Sequence, residues 1–385
     1  MMHDIKTDKS GWKKVKFGDV CRLINHSSRN PKADGLQRVV GLEHIEPNNL
    51  HIRSFGSTED ETTFTRIFRK GQVLFGRRRA YQRKVAYAEF DGICSGDIMV
   101  FEAIQENLIS ELLPFIVQSN GFFNCAVDTS AGSLSPRTKF ADLANYEFLL
   151  PPKEEQARLA ELLWAADEVV ERNITLLDQI NHYKKVYLIS NFEDKDQPII
   201  SFSNLVEINP KVEINKDKDI SISFITMADV SNDGEIIGGE EASLKKVKQK
   251  GFTPFMENDI LFAKITPCME NGKGAIAKGL INNIGFGSTE FHVLRPKQKN
   301  DLYFCFYMSR MDTFRQKAER LMTGSAGQKR VQSDFFDFYK FHAPNPQERK
   351  TIGETLYIIE KEINVIRAHI SNSQQLKSSL INQIF

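Results

Sequence analysis

An internal duplication constrains this chain more than any other feature of its sequence. Six pairs of short segments recur in the same order, and the offset between partners drifts only from 185 to 193 residues. A unit of about 190 residues is too long for a solenoid repeat and long enough for a domain with its own core. The sequence therefore predicts two similar domains in tandem. The matched segments are 17–24 with 202–209, 39–45 with 224–230, 68–75 with 255–262, 94–100 with 287–293, 132–133 with 324–325, and 151–156 with 344–349.

Each repeat begins with about 140 residues that mix strand-like and helix-like segments. The apolar runs 39–45, 72–75 and 98–101 have the length of strands, and Gly, Asn, Asp and Pro separate such runs. Two longer segments, 108–119 and 302–319, are predicted to be helical. We expect an α+β fold, with two mixed α/β domains that form a pseudo-twofold internal repeat.

Each repeat ends in a long segment that is typical of a helix. After Pro151-Pro152, the stretch 154–190 contains neither proline nor glycine, and it opens with two glutamates that favour a helix N-terminus. After Pro346 the remaining chain contains one glycine, Gly353, and no further proline. A helix of about 37 residues would be about 55 Å long. Two such helices would extend well beyond a single small domain.

Apolar side chains recur along both predicted helices at heptad spacing, which is typical of helices that pack along each other. The alternative, that these stripes pack only on the globular domains, stays open. Asn173 lies on the stripe of the first helix, where a polar residue can fix the register. The residues predicted to pack between helices or against a partner are Leu159, Leu162, Val169, Asn173 and Ile180 in the first helix, and Ile352, Leu356, Ile359, Ile363, Ile366 and Ile370 in the second.

Basic residues concentrate at one point of the first repeat. From Arg66 to Lys84 the chain has eight Lys or Arg residues and no acid. A basic run is ordinarily a solvated surface, but like charges this dense are costly without an anion to face. Arginine also presents a fork of donors that suits phosphates and the guanine edge. The run therefore predicts a DNA contact through Arg77, Arg78, Arg79, Tyr81, Arg83 and Lys84.

The corresponding stretch of the second repeat, 262–275, is less basic and richer in small and polar residues. Thr266 and Asn271 are candidates for reading base edges, and Lys264 and Lys273 for holding phosphates. The two repeats thus match in their scaffold and differ at the surface predicted to read DNA. That difference is expected of two copies that recognise different sequences.

Two later loops, 129–137 and 323–330, are small, polar and end in positive charge. Such loops allow close approach to a phosphate backbone, although a plain connecting role is equally compatible with their composition. Their candidate DNA contacts are Ser133, Arg137, Ser325, Lys329 and Arg330.

Composition and missing motifs narrow the class of protein. The formal net charge is +1, so any nucleic-acid contact depends on local basic patches. No apolar run reaches about 18 residues, and the polar leader 1–11 lacks the apolar core of a signal peptide. A flexible leader on a cytoplasmic protein is the expectation. We find no ATP-binding loop, methyltransferase motif, nuclease core or metal spacing. The sequence predicts a chain that is not an enzyme and holds no metal or cofactor of its own.

Taken together, the sequence resembles a specificity subunit of a Type I restriction–modification system. The resemblance covers the chain from about Trp12 onward and rests first on the duplicated plan. It rests also on the segments GRRRAYQRKV at 76–85, CSGD at 94–97, PPKEEQ at 151–156 and KITPCMENGKGAI at 264–276. The second long helix opens with Pro-Gln-Glu-Arg and lacks the Glu-Gln pair of the first.

The resemblance implies two target-recognition domains, each reading one half of a bipartite site in double-stranded DNA. The long helices would form an antiparallel coiled coil that fixes the spacer and docks two adenine methyltransferase subunits, which use S-adenosylmethionine. Two translocase–nuclease subunits, which use ATP and Mg, would join them for cleavage. The expected segments are a leader at 1–11, recognition domains at 12–152 and 196–345, and spacer helices at 153–195 and 346–385.

Two other functions stay open at this point. A stand-alone DNA-binding protein with the same domains would bind a bipartite site unaided. A scaffold would use its helices for protein partners and would not need the basic residues at 77–79.

Overall fold

A computed structural model describes residues 9–192, 197–213, 220–248, 250–325 and 327–385. The first eight residues of the predicted leader lie outside the described residues. The chain forms two compact units, one made of residues up to Thr175 together with Arg367–Phe385, the other of Leu176–Ile366. Each unit contains one repeat and part of both long helices. Within the described ranges, no helix is long and apolar enough to cross a membrane.

The first repeat forms two mixed or antiparallel sheets, a two-stranded ribbon and a set of helices. Its strands are β1 (Lys13–Lys16), β2 (Cys21–Ile24), β3 (Arg38–Val40), β4 (Gly56–Ser57), β5 (Arg66–Phe68), β6 (Val73–Gly76), β7 (Val85–Tyr87), β8 (Gly92–Cys94), β9 (Ile98–Ala103) and β10 (Glu147–Leu150). Its helices are α1 (Phe17–Val20), α2 (Leu113–Gln118), α3 (Asn120–Asp128), α4 (Phe140–Leu143) and α5 (Lys153–Phe192). The sheet orders are β2-β9-β6-β7 and β4-β3-β8-β5, and β1 pairs with β10.

The second repeat has the same architecture. Its strands are β11 (Ile199–Ser201), β12 (Val206–Ile208), β13 (Ser221–Ile225), β14 (Glu240–Ser243), β15 (Thr253–Met256), β16 (Ile260–Ala263), β17 (Gly274–Ile276), β18 (Ile284–Gly287), β19 (Phe291–Pro296) and β20 (Lys340–His342). Its helices are α6 (Leu244–Lys248), α7 (Leu302–Arg310), α8 (Asp312–Arg320), α9 (Phe335–Phe338) and α10 (Pro346–Ile384). The orders β12-β19-β16-β17, β14-β13-β18-β15 and β11-β20 repeat those of the first, strand for strand. The predicted duplication and α+β class are confirmed.

Short elements differ in detail from the sequence-based expectation. The run 39–45 is a strand only over β3, and a 3-10 turn at Leu42–His44 follows. The predicted helix 108–119 is helical only over α2, and 302–319 is divided into α7 and α8. Ser119, which separates α2 from α3, and Met311, which separates α7 from α8, are equivalent residues that both adopt extended backbone angles. At the first break the Ser119 hydroxyl accepts a hydrogen bond from the Phe122 amide and caps α3. Apolar spacing does not report such a one-residue interruption.

Phenylalanines at matching positions build the core of each unit. In the first, Phe17 and Phe75 pack on Phe122, with ring centroids 4.7 and 5.6 Å apart. In the second, Phe202 and Phe262 pack on Phe314, at 5.1 and 6.0 Å. All six side chains are fully buried. Burial of one such ring stabilises a fold by about 1.5–3 kcal/mol, so this shared core explains why the scaffold is conserved between repeats whose loops differ.

The first long helix is anchored by the last residue of the PPKEEQ segment. The buried Gln156 amide donates hydrogen bonds to the carbonyls of Asn107 and Pro151, each at 3.0 Å. Its oxygen accepts from the Ile109 amide at 3.0 Å. One side chain therefore satisfies three backbone groups where the helix leaves the sheet. This accounts for glutamine at that position.

An arginine anchors the start of the second long helix. Arg349 occupies the position of Gln156, donates to the Pro344 carbonyl at 2.9 Å and forms a two-point pair with buried Asp301 at 2.8 and 3.0 Å. Asn345 caps this helix by accepting from the Gln347 and Glu348 amides, both at 3.0 Å. The missing Glu-Gln pair is thus a change of anchor rather than the loss of one.

Within each unit the two long helices run in opposite directions. In the first unit, residues 159–163 of α5 share a core with residues 380–384 of α10. Asp167, later in α5, pairs with Lys377, earlier in α10. An opposite progression of contacts defines antiparallel packing, which the family resemblance had implied.

The second unit shows the same opposite progression. Lys184 of α5 forms an ion pair with Glu360 of α10. Further along α5, Tyr187 and Leu188 pack on the core that contains Ile352 and Leu356, which precede Glu360 in α10.

The predicted contact stripe of α5 divides into buried and exposed positions. Leu159 is buried, but Leu162 and Val169 are 43% and 49% exposed, and the buried positions are Leu163 and Val170. Apolar residues stand side by side at both places, so heptad spacing alone could not choose between them.

The other residues predicted to pack between the helices or against a partner differ in burial and in their contacts. Asn173 donates to the Val169 carbonyl of its own helix at 2.8 Å, so it does not set the register as predicted. Ile180 and Ile370 are half-buried. In α10 the buried members are Ile352, Leu356, Ile359, Ile363 and Ile366.

Buried charges, rather than Asn173, provide the polar contact between the helices of the first unit. Asp167 Oδ1 accepts from Lys377 Nζ at 2.7 Å, and its Oδ2 lies 2.7 Å from His51 Nε2. The other ring nitrogen of His51 lies 2.8 Å from Glu89 Oε1. Removal of one partner from such a buried pair costs about 3–5 kcal/mol, which makes the network a strong determinant of register. The Asp167 contact, more than any other, raises the pKa of His51 to about 9.

The stability of the first unit should therefore depend on pH through His51. Because its folded pKa of about 9 exceeds the ordinary 6.5, protonated His51 stabilises the fold fully below pH 6.5. This contribution is lost as pH rises through 9. We expect the thermal unfolding temperature to fall between these pH values, and to fall less in His51→Gln, which keeps polar contacts but does not titrate. An equal fall in both proteins would contradict this role for His51.

Candidate nucleic-acid interface

Two loops that are distant in sequence meet in the first repeat. The loop 77–84 follows β6, and the loop 129–137 follows α3. The Arg77 carbonyl accepts from the Thr138 amide at 3.1 Å, and the Arg79 amide donates to the Pro136 carbonyl at 2.8 Å. We call 77–84 and 129–137 the first loop pair.

The second repeat forms the same backbone pattern between 264–273 and 323–330, the second loop pair. The Lys264 carbonyl accepts from the Val331 amide at 2.9 Å, and the Thr266 amide donates to the Lys329 carbonyl at 3.0 Å. The basic stretch and the later polar loop of each repeat, which the sequence predicted separately, therefore form one surface in each unit.

In each loop pair, an ion pair joins an arginine of the later loop to an acidic residue elsewhere in the domain. In the first, Arg137 donates from Nε to Asp97 Oδ1 at 2.7 Å and from Nη2 to Oδ2 at 3.3 Å, and Arg78 adds a contact to Oδ2 at 3.2 Å. In the second, Arg330 Nε lies 2.9 Å from Glu290 Oε2, and Nη2 lies 2.9 Å from Oε1. We call these contacts the acid–arginine clamps.

Each clamp acid directly precedes an inner strand. Asp97 is the residue before β9, and Glu290 is the residue before β19. The Arg77 amide donates to the Asp97 carbonyl and the Lys264 amide to the Glu290 carbonyl, both at 2.9 Å. The clamp arginine, more than any other group, holds the pKa of each carboxyl below its usual value. The carboxylates therefore stay ionised and keep both loops tied to the sheet.

A glycine opens the later loop of each pair in a left-handed conformation. Gly132 has φ +116° and Gly324 has φ +125°, a region that favours glycine. A Cβ at Gly324 would lie 2.8 Å from the Gln328 carbonyl oxygen. The recurring Gly-Ser pair of the sequence thus marks a backbone requirement of the turn.

Positive charge remains in excess in the first loop pair. This loop pair contains Arg77, Arg78, Arg79 and Arg137, of which Arg78 and Arg137 form ion pairs with Asp97. The Nε atoms of Arg77 and Arg79 are buried and find no hydrogen-bond partner within the described part of the chain. Burial, and then the neighbouring Arg66, lower the pKa of Arg77. Partly desolvated guanidinium groups without an acceptor are costly, and an anion at their outer nitrogens would offset that cost.

The other predicted residues of the first loop pair include exposed side chains and two cations that are hydrogen-bonded within the domain. Tyr81 is 59% exposed, and Ser133 in the partner loop is exposed. Arg83 donates to Asn48 Oδ1 at 2.8 Å and to the Gln118 carbonyl at 2.9 Å. Lys84 donates to the Leu42 carbonyl at 2.6 Å. These two cations are engaged inside the domain, and their assignment as DNA contacts stays a prediction.

The second loop pair is less charged and more polar. Asn271, Ser325 and Lys329 are exposed, and Lys264 is half-buried. The Thr266 hydroxyl donates to Glu270 at 2.6 Å, so it reaches a ligand only if that contact opens. Lys273 donates to the Met227 carbonyl at 2.8 Å and supports the loop from within, and its assignment as a phosphate contact stays a prediction.

Sequence reasoning missed both clamp acids. The basic run 66–84 holds no acid of its own, but Asp97 reaches it from the turn before β9, so the premise of an uncompensated cluster is partly wrong. A usable signal was present, because the matched segments 94–100 and 287–293 place an acid at the same position. Across the described ranges, no group of three or more His, Cys, Asp or Glu side chains is arranged to hold a metal ion.

Comparison with known protein families agrees with this duplicated architecture. The family described as the Type I restriction modification DNA specificity domain matches residues 9–182 and, a second time, residues 202–373. The chain belongs to this family. The two matches correspond to the two repeats, and the resemblance noted in the sequence is confirmed.

Type I specificity subunits are among the similar curated proteins. The chain is 39% identical over 158 residues to the Type I restriction enzyme EcoEI specificity subunit and 42% identical over 156 residues to the EcoAI specificity subunit, both from Escherichia coli. Each match covers 40% of this chain and 26% of the relative. The chain therefore matches about a quarter of the length of these relatives.

Solved structures share the fold over nearly the whole chain. The S subunit of a Type I restriction–modification system from M. genitalium superposes with a TM-score of 0.60 at 12% identity, covering 100% of this chain and 99% of that one. A chain from a study of complex assembly and conformational transition of the type I R-M system gives a TM-score of 0.54 at 17% identity, with 96% of both chains covered. At these identities the likeness establishes the fold.

Proposed function

We propose that this chain is the DNA-recognition subunit of a Type I restriction–modification complex and performs no chemistry itself. The observation that carries the proposal is the pair of equivalent loop surfaces, built on one scaffold and held by one type of clamp, but different in chemistry. The first presents arginines and an exposed tyrosine, and the second presents amide, hydroxyl and lysine groups. Two such surfaces suit two unlike half-sites.

Recognition would divide between phosphate and base contacts. Phosphate contacts set the register of a protein on DNA, whereas contacts to base edges carry the sequence information. The forks of Arg77, Arg78 and Arg79 suit either a phosphate or the O6 and N7 atoms of guanine. Asn271 suits the N6 and N7 atoms of adenine, and Lys264 and Lys329 suit phosphates. We attribute the spacing between half-sites to the long helices.

Catalysis would belong to partner subunits. Methylation of adenine requires the base to leave the duplex and enter a pocket, and we assign that pocket and its S-adenosylmethionine to two methyltransferase partners. ATP and Mg would serve two translocase–nuclease partners. In this arrangement the present chain selects the DNA and positions the enzymes.

The long helix α5 carries a surface suited to a partner. Leu162, Val169, Leu176 and Tyr183 follow one another at intervals of seven residues and are 43–55% exposed. They lie beside the buried stripe and not within it. Apolar side chains at heptad spacing suit packing against another helix. We propose that this exposed stripe is the docking face for a methyltransferase subunit.

Adenine methylation mapped across a host genome tests the function. With the cognate methyltransferase co-expressed, we expect a split motif with a fixed spacer, absent without this chain. Replacement of Arg77, Arg78 and Arg79 by alanine should lower methylation at that motif by at least tenfold, because losing one two-point arginine contact costs on the order of 1–3 kcal/mol. A bound, active methyltransferase that yields no split motif would refute DNA reading and favour the scaffold. Tight binding of a bipartite site by the chain alone would favour the stand-alone alternative.

Co-purification tests the docking face. The double change Val169→Ser and Leu176→Ser should weaken methyltransferase binding by about tenfold, or about 1.4 kcal/mol, because both side chains lie at the centre of the proposed face, where truncation costs most. The matched control is Ile237→Ser, a change of the same kind at a residue that is 66% exposed in a loop. The thermal unfolding of both proteins should stay near that of the unchanged chain. Undiminished binding by the double variant would place the partner elsewhere.

A further inference from the structure

One apolar side chain projects from the first loop pair. Leu134 is 88% exposed, more than any other large hydrophobic residue among those described, of which the next is Phe338 at 68%. A single exposed leucine is ordinary on a protein surface. The position of this leucine, and not its exposure alone, distinguishes it.

The loop that carries Leu134 has a fixed base and a short tip. The amides and carbonyls of Ala131 and Arg137 exchange hydrogen bonds at 3.1 and 3.0 Å, which closes the loop like a small hairpin. The Arg79 amide donates to the Pro136 carbonyl, and the clamp holds Arg137 on Asp97. Because its base is tied at three points, the tip loses little conformational freedom on binding a ligand.

The surroundings of Leu134 are cationic and its immediate neighbours are small. Serines flank it on both sides, and Arg137 lies three residues further along the chain. Arg77, Arg78 and Arg79 form the adjoining loop. A protein partner would be expected to meet a broader apolar surface than one leucine. A polyanion that can also accept one apolar side chain fits this combination of charges better.

We propose that Leu134 is a wedge that enters the base stack of the DNA bound by the first loop pair. This inference rests on the proposed function and deepens it. Leucine is among the side chains that proteins insert between base steps, where they unstack the bases and kink the duplex. The arginines on either side would hold the phosphates of the distorted step. An unstacked step next to the target also lowers the cost of extruding a base for a partner enzyme.

The second repeat makes the prediction asymmetric. Its corresponding loop reads Gly-Ser-Ala-Gly-Gln-Lys-Arg over 324–330 and contains no large apolar residue. Two half-sites bound by one chain therefore serve as test and internal control. Distortion by a wedge is expected at the half-site read by the first repeat and not at the other.

Permanganate reactivity of unstacked thymines, measured on the complex of chain, methyltransferase and duplex, tests the proposal. The unchanged chain should give enhanced reactivity at one half-site. Leu134→Ser should abolish it and lower affinity about tenfold or more, the effect of losing a buried leucine side chain. Leu134→Met should preserve both. The salt dependence of binding should not change in Leu134→Ser, because no phosphate contact is removed. Val127→Ser, at a residue 41% exposed in the same repeat, is the matched control.

Each other result overturns a defined part of the account. Unchanged affinity and reactivity in Leu134→Ser would show that the side chain does not enter the stack. Loss of methyltransferase co-purification in that variant would assign Leu134 to a protein contact instead. Failure of the unchanged complex to bind any duplex would refute the proposed function itself, which separates that failure from failure of the wedge.

Discussion

The acid–arginine clamp is the contact on which the geometry of the two loop pairs depends. A carboxylate next to an inner strand, Asp97 or Glu290, holds an arginine from a loop that is distant in sequence, Arg137 or Arg330. Exposed ion pairs contribute little to global stability, so the value of the clamp lies in position. Its two-point geometry, joined by backbone hydrogen bonds, fixes two loops against each other without using the outermost side chains. The loops can therefore change in sequence while the platform stays the same.

The long helices depend on a second set of buried polar contacts. Gln156 and Arg349 anchor the helix starts, and Asp167 with Lys377 and His51 sets the register in the first unit. Charges buried in this way are costly when mispaired, so they select one alignment of the helices among those that a heptad pattern permits. The exposed apolar stripe of α5 stays free of this packing. Within each unit, one face of α5 packs against α10, and another face of α5 stays exposed.

Much of the fold and of the loop pairs could be predicted from the sequence, and the predictions that failed did so for physical reasons. The duplication, the long helices and the basic and polar loops followed from repeated motifs, helix start signals and local charge, but the contact between those loops did not. The face of α5 that is buried could not be predicted, because Leu162 and Leu163, and again Val169 and Val170, are neighbouring apolar residues on adjacent faces of the helix. The internal hydrogen bonds of Arg83, Lys84 and Lys273 were not predicted, because contacts with distant carbonyls leave no trace in the local sequence. Asp97 escaped notice since it lies outside the basic run that it partly neutralises.

If each clamp positions the reader of one half-site, methylation maps of two single variants will show it. Asp97→Asn and Glu290→Gln keep side-chain size and remove the charge that holds the clamp arginine. We expect each change to relax the base preference in one half of the split motif and to leave the other half and the spacer intact, with opposite halves affected. Relaxation of both halves by either variant, or of neither by both, would contradict the claim that the two repeats read DNA separately.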